Sequence, residues 1–527
     1  MGKKVFQGVA IIGLVAILAK ALSFIQKQVI ASRFGTGPEA DAYTVAFNSI
    51  VYTLSIIPLK ILAPVLPLFT ERREKCGDQE AWRFASTVTL LLTIVMGLAV
   101  AAGMLAAPHL VRGAASFKSE TTAALAVHLV RVMLPAALFF GLYHLFTLLM
   151  HSHKRFALPA LGEVANRVAV IVLLVLLYRV LGINGLAIGI VGGAAAAFLL
   201  QVFGLRKEVR WFRFKPDWSD PTLRSLLVLI PPVLVSILIA QARTVLDFRF
   251  ASQMGEGYPS SLGYAKGITD TIVNMVPFTI GVVLYPFFAD LHAREDKARL
   301  TDSLMGAMRA MALFFVPISV VLIVLRVPVV RLIFEYGKFT SDSVKFTTGP
   351  VLYYALGLTS FAIEIVLMRF YFSIKDTLTP AIVGVVCVFV HVGVVLTLRG
   401  AMMHESIALA ATVSKSLKVV ALFLLLRSRV AGLHLRANGI FCAKLLAAAA
   451  GMAGVMYGAY RLLLLWASVP AGAGKVLKAG FLCGHIGACT ALGLIAFVGL
   501  ALMLQMDEVR LVLAALRRGR SRSHVAM

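Results

Sequence analysis

Apolar residues run along this chain in long stretches, interrupted at short intervals by polar clusters. The pattern predicts about fourteen spans, at residues 6–32, 40–70, 84–107, 123–150, 158–180, 183–205, 223–250, 259–289, 303–325, 346–372, 377–398, 405–426, 440–466 and 477–506. A bilayer core needs about 20 residues of helix to cross it. Backbone groups in lipid must be satisfied within the segment, which leaves helices or a closed barrel. Runs of this length, rather than short alternating ones, select helices.

Composition agrees. Of 527 residues, 60% are hydrophobic and 14% are charged, against about 25% charged in a soluble chain. No long polar segment is left over for a separate soluble domain, so membrane is the solvent for nearly all of it. The net charge of +26 raises nucleic acid as a partner. Its distribution argues against that. The cations cluster as Arg72, Arg73 and Lys75; Lys154 and Arg155; Arg206, Lys207, Arg210, Arg213 and Lys215; Arg294, Lys297 and Arg299; Arg427 and Arg429; and Arg517, Arg518, Arg520 and Arg522 in the tail. These lie after even-numbered spans, the positive-inside pattern, which places both termini in the cytoplasm. Cys76, Cys387, Cys442, Cys483 and Cys489 show no metal spacing. The N-terminal apolar run follows Lys3-Lys4 as in a signal peptide, but continues past Lys20 to Arg33 without a convincing cleavage site. A retained first span is expected.

Several spans contain a cation: Lys20, Lys27, Lys60, Arg131, Arg243, Arg249, Lys266 and Arg369. A charge at mid-bilayer costs about 3 kcal/mol and is tolerated facing water or a partner. An excess of buried cations points to a cavity that receives an anion, hence to a transporter or flippase.

A weak internal repeat appears at an offset of 221 residues. Lys154-Arg155-Phe156-Ala157-Leu158-Pro159-Ala160 corresponds to Lys375-Asp376-Thr377-Leu378-Thr379-Pro380-Ala381, and Leu205-Arg206 to Leu426-Arg427. The expected fold is therefore an all-α polytopic membrane protein. Two parallel six-helix lobes (1–222 and 223–438) would surround a central cationic cleft, with two appended spans (439–506) and a basic cytoplasmic tail (507–527).

Phe334-Glu335-Tyr336-Gly337-Lys338-Phe339-Thr340 is the most specific stretch. With it go Phe34-Gly35-Thr36-Gly37, Ala40-Asp41-Ala42-Tyr43, Ala46-Phe47, Lys154-Arg155-Phe156, Pro159-Ala160, and Tyr264-Ala265 followed by Pro277 and Gly281. In this order they resemble the MurJ/MviN family of lipid II flippases, within the multidrug/oligosaccharidyl-lipid/polysaccharide exporter superfamily. The resemblance runs from about residue 7 to residue 505. It implies a flippase that moves undecaprenyl-diphosphate-linked peptidoglycan precursor from the inner to the outer leaflet by alternating access, in cell wall biogenesis. The implied location is the bacterial cytoplasmic membrane, and a monomer is expected. The partners are the lipid-linked glycan diphosphate and membrane lipids, not nucleic acid. No cofactor is expected, only a coupling cation or the membrane potential. The chain departs from the family pattern at Gln26-Lys27, where the family has an Arg-Asp pair. It departs again near Leu54, where the family has a cavity arginine late in the second span, and at Lys266-Gly267, where the family has an Asp-Arg pair in the eighth. Lys20 keeps the charge of a first-span arginine. These departures support an alternative, an exporter of another polyprenyl-diphosphate-linked glycan such as a capsule or O-antigen unit.

Candidate substrate-binding residues are Lys20, Lys27, Asp41, Lys60, Arg243 and Lys266, with Asp247 as the candidate for a coupling cation. Lys20 and Lys27 share a helix face, so they form a basic stripe, although Lys27 could instead snorkel outward, as could Lys60. Asp41 would pair with a first-span lysine and gate the outer mouth, or cap its own helix. Arg243 and Asp247, Lys266 and Asp270, and Glu163 and Arg167 have the spacing of internal helical pairs. Glu364 and Arg369, with Lys415 and Lys418, read as pairs at the lobe interface. No P-loop, paired acidic catalytic site, metalloprotease helix or nucleophile elbow is present, so ATP hydrolysis by the chain itself is not expected to supply the energy. A membrane glycosyltransferase would need acidic outer loops, and these are short and acid-poor.

Overall fold

The structure, a computed structural model, describes residues 2–426, 432, 435–466 and 475–510. The basic cluster at Arg427 and Arg429, and the arginine-rich end of the tail, lie outside the described residues. The described residues are helical, without strands. Twelve segments among them are long and apolar enough to cross a membrane. Two more helices, of 34 and 36 residues, occupy the positions expected for spans seven and eight.

The chain divides into two compact units. The first comprises Met1–Gly263 and Tyr336–Phe339. It holds α1 (Gly2–Phe34), α2 (Pro38–Val45), α3 (Tyr52–Ile61), α4 (Val65–Cys76), α5 (Asp78–Leu105), α6 (Ala107–Ala114), α7 (Glu120–Met133), α8 (Pro135–Ser152), α9 (Ala157–Leu181), α10 (Ile183–Gly204) and α11 (Pro221–Met254), and the first residues of α12 (Tyr258–Ala293). Its core gathers Phe69, Trp82, Phe84, Leu129, Met133 and Leu134.

The second and fourth spans, expected as single helices, are segmented. A π-helical turn at Ala46–Val51 separates α2 from α3, Pro58 lies inside α3, and Leu62–Pro64 break the path into α4. Each proline removes a backbone donor, so the ladder bends there. Pro135 divides α7 from α8 for the same reason. Gly185, Gly189 and Gly193 form a strip on α10 that lets α9 approach closely. A Cβ on Gly189 would stand 3.2 Å from the Val170 carbonyl, and one on Gly193 2.8 Å from that of Asn166. Small residues at such spacing are the usual way membrane helices pack tightly.

The second unit comprises Tyr264–Glu335 and Thr340–Met527. It contains the rest of α12, then α13 (Lys297–Val324), α14 (Arg326–Phe334), α15 (Ser341–Ser373), α16 (Leu378–Met402), α17 (Glu405–Leu425), α18 (Leu435–Trp466) and α19 (Lys475–Met503). α18 and α19 pack on α13 through Phe441, Leu445, Met452, Met456 and Phe497. Arg309 of α13 fastens the same group, reaching Glu508 at 2.9 Å and the Asn438 amide oxygen at 2.7 Å.

The repeat is visible in backbone geometry. Lys154 and Lys375 both take a left-handed conformation, with φ of 59° and 60°. The Arg155 amide donates to the Met150 carbonyl, and the Asp376 amide to that of Tyr371, both at 3.0 Å. Gly182 and Met403 recur at the same offset, with φ of 54° and 48°. A non-glycine residue in this region is uncommon. It persists here because the turn satisfies the last carbonyls of the preceding helix.

Candidate substrate-binding residues

In the first unit, α1 and α9 share a line of polar contacts. The Lys20 ammonium lies 3.5 Å from Glu163. Arg167 donates to the Gln26 side-chain oxygen at 3.1 Å. Further along, Arg33 stacks over the Tyr178 ring at 4.8 Å. Partners advance together on both helices, so the two run parallel. These contacts correct one expectation: Glu163 and Arg167 each pair with α1 rather than with each other. Lys20 and Glu163 stay 41% and 38% exposed, so neither is locked in the core. Lys27 is half-buried about two turns further along α1, and Lys60 is exposed in the last turn of α3.

Asp41 is 1% exposed, and its carboxylate is committed. It accepts from the amides of Gly257 at 2.5 Å and Ser260 at 2.9 Å. It therefore caps α12, neither its own helix, whose N-cap is Gly37, nor a first-span lysine. The free amides and positive dipole end of a helix favour a carboxylate there. Around this cap the family-like motifs converge. Gly35 and Gly337 have φ of +60° and +62°, and a Cβ on Gly35 would fall 2.5 Å from the Lys338 carbonyl. The Lys338 amide donates to the Ser32 carbonyl at 2.8 Å. Gly257 passes so close to Thr36 that its Cβ would stand 2.8 Å from that carbonyl. No local periodicity could have announced this junction, because its parts come from three distant stretches of sequence.

In α11, Asp247 is buried and Arg243 half-buried. Arg249 is used structurally, donating to the carbonyls of Arg112 and Gly113 at 2.9 and 2.6 Å. In the second unit, Lys266 is half-buried on α12 and Asp270 exposed. Glu364 of α15 meets Lys418 at 2.8 Å and Lys415 at 3.1 Å, both on α17. The reading of these residues as lobe-interface pairs is thus replaced by a triad inside one unit. Lys415 also sits over the Phe361 ring at 4.6 Å.

Arg72, Arg73 and Arg155 of the basic connections are engaged. Arg72 binds Asp220 at 2.5 Å, and Asp220 in turn caps α11 through the Thr222 amide at 2.9 Å. Arg155 grips Glu208 at 2.5 Å. Burial would raise the Glu208 carboxyl, but Arg155 outweighs it and holds it below the usual range. Arg73 lies 3.1 Å from His153, whose imidazole is depressed by burial and by that guanidinium.

Segmented apolar helices of membrane-spanning length, cations within them and turns that recur at a fixed offset define a multi-pass transporter rather than an enzyme. The family model described as lipid II flippase MurJ matches residues 30–470, and the chain belongs to that family. A probable lipid II flippase MurJ of Rhizobium meliloti is 29% identical over 432 residues, covering 79% of each chain. The lipid II flippase MurJ of Burkholderia cenocepacia is 25% identical, over 84% of this chain and 87% of its own. Among solved structures, a lipid II flippase MurJ in an inward closed conformation shares the fold. Its TM-score is 0.76 and its identity 20%, with 94% of this chain and 99% of that one covered. An inward-facing multidrug transporter of the MATE family aligns with a TM-score of 0.66 at 15% identity, over 79% of this chain and 94% of its own.

Proposed function

We propose that the chain translocates lipid II, the undecaprenyl-diphosphate-linked peptidoglycan precursor, from the inner to the outer leaflet by alternating access. The observation that carries this is family membership across residues 30–470. The residues supply a rationale. A diphosphate headgroup needs cations that can exchange partners. The Lys20–Glu163 pair is 3.5 Å long and accessible, and such pairs contribute only about 0–1 kcal/mol, so Lys20 can leave its glutamate for a phosphate. Lys27, Lys60, Arg243 and Lys266 would add charge along the route. Lysine neutralises phosphate as a point charge without arginine's planar fork. Asp41 would tie the α2 junction to the start of α12 during the cycle.

The protein would work as a monomer in the bacterial cytoplasmic membrane with both termini inside. It would use no cofactor and draw on the membrane potential or on a cation at Asp247. Expression in a bacterium depleted of its own lipid II flippase should restore growth. Lys20→Glu, inserted at normal level, should not restore it, whereas Lys20→Arg should. Absence of rescue by a well-expressed parent chain, with a different lipid-linked glycan accumulating when its own host is depleted of it, would assign another cargo.

A further inference from the structure

The connection between α10 and α11, residues 205–220, sorts its charges by direction. All three of its carboxylates turn inward: Glu208 to Arg155, Asp217 to Arg83 at 3.0 Å, and Asp220 to Arg72. Its backbone is pinned as well. The Arg213 amide donates to the Ser86 hydroxyl and the Asp217 amide to that of Thr87, each at 3.0 Å. Ser86 and Thr87 are fully buried in α5, so the segment from Arg213 to Asp217 has a fixed seat. Its five cations, Arg206, Lys207, Arg210, Arg213 and Lys215, are all exposed. Among the described residues none forms an ion pair with a carboxylate; Arg206 and Arg210 lie instead over Phe203 and Trp211, at 4.8 and 5.0 Å. Two large aromatics share this surface, Phe214 at 84% and Trp218 at 58% exposure.

A loop that only obeyed the positive-inside tendency would need neither a pinned backbone nor exposed aromatic rings. Cations interleaved with aromatics at the end of an apolar span match a bilayer interface, where rings sit at headgroup depth and cations meet anionic lipid. We propose that residues 206–218 form a preformed docking surface for anionic phospholipid headgroups. The phosphates would lie against the cations, and Phe214 and Trp218 would enter the acyl boundary. This role is independent of the cargo, so it can fail or hold without bearing on the flippase assignment.

The test uses the full chain in nanodiscs of phosphatidylcholine with a minor fraction of phosphatidylglycerol, bromine being placed on one lipid or the other. The difference in fluorescence quenching between the parent and Trp218→Phe isolates Trp218. Brominated phosphatidylglycerol should quench it at least about threefold more per mole than brominated phosphatidylcholine. That preference should fade toward unity in about 1 M salt, where screening shortens to about 3 Å. The variant R206Q/K207Q/R210Q/R213Q/K215Q, melting like the parent, should show no preference. Equal quenching by both lipids in the parent would overturn the proposal and leave an acidic protein surface as the partner chemistry. Survival of the preference in the five-charge variant would overturn it too.

Discussion

Removing the charge of Glu364 tests the internal electrostatics of the second unit. Glu364 is the shared partner of Lys415 and Lys418, at 3.1 and 2.8 Å, and its side chain is 14% exposed. In Glu364→Gln the two lysines lose their counter-charge. They do not suffer equally. Lys415 is 32% exposed and keeps its position over Phe361, whereas Lys418 is 16% exposed. The cost therefore falls mainly on Lys418, and breaking one buried pair costs about 3–5 kcal/mol. With Lys415 partly spared, about 3 kcal/mol is expected, or roughly 6–12 °C in the melting temperature of a unit this size. Glu364→Gln combined with Lys418→Met removes the stranded charge and should recover most of the loss, because a buried pair is often replaceable by apolar groups. Thermal unfolding in detergent, run as a double-mutant cycle, reads the coupling directly. Melting of Glu364→Gln within about 1 °C of the parent, or no recovery in the double variant, would refute the argument.

Asp41→Ala leaves the Gly257 and Ser260 amides without their acceptor, so about 2 kcal/mol should be lost, and Asn should retain part of it; thermal unfolding measures both. Gly337→Ala would set a Cβ 2.1 Å from the Ser32 carbonyl oxygen at a φ of +62°. The left-handed penalty of about 1–2 kcal/mol then adds to a backbone overlap of about 1–3 kcal/mol, and proteolysis at residues 335–340 should accelerate. His404 is buried with its Nε2 2.7 Å from the Phe346 carbonyl, and burial pushes its pKa down to about 4, the carbonyl only partly opposing this. The folded protein favours neutral His404, so this stability is fully present above about pH 6.5 and is lost as pH falls toward 4, by up to about 1.4 kcal/mol per unit. His404→Gln should flatten that part of the melting-temperature profile relative to the parent.

The spans were legible because an apolar run of bilayer length has few other uses, and their number and order follow the sequence closely. The segmentation of the second span was signalled by Pro58 and Pro64 but outweighed by the continuity of the apolar run. The repeat rested on a few matched residues, and the left-handed turns at Lys154 and Lys375 give it a structural counterpart. Side-chain partners were the least legible. Spacing along one helix suggested Glu163 with Arg167, but a neighbouring helix supplied Lys20 and Gln26 instead. Asp41 shows the same limit. Its neighbours in sequence suggest a local cap, while its acceptor role is fixed by residues more than 200 positions away. Local pattern fixes the period of an element; which faces meet is decided by the tertiary arrangement.

The turn at Tyr336–Phe339 also has a meaning in time. It belongs to the first unit, yet it emerges from the ribosome long after Gly263. During synthesis the first eleven helices must wait, with the Ser32 carbonyl and the Gly35 hollow unfilled, until α12, α13 and α14 have been delivered to the membrane. Domains usually mature from the N-terminus forward as they are made. Here the last piece of the leading unit is made amid the trailing one, so a chain stopped before residue 336 leaves that first unit unfinished, whereas one stopped soon after it does not.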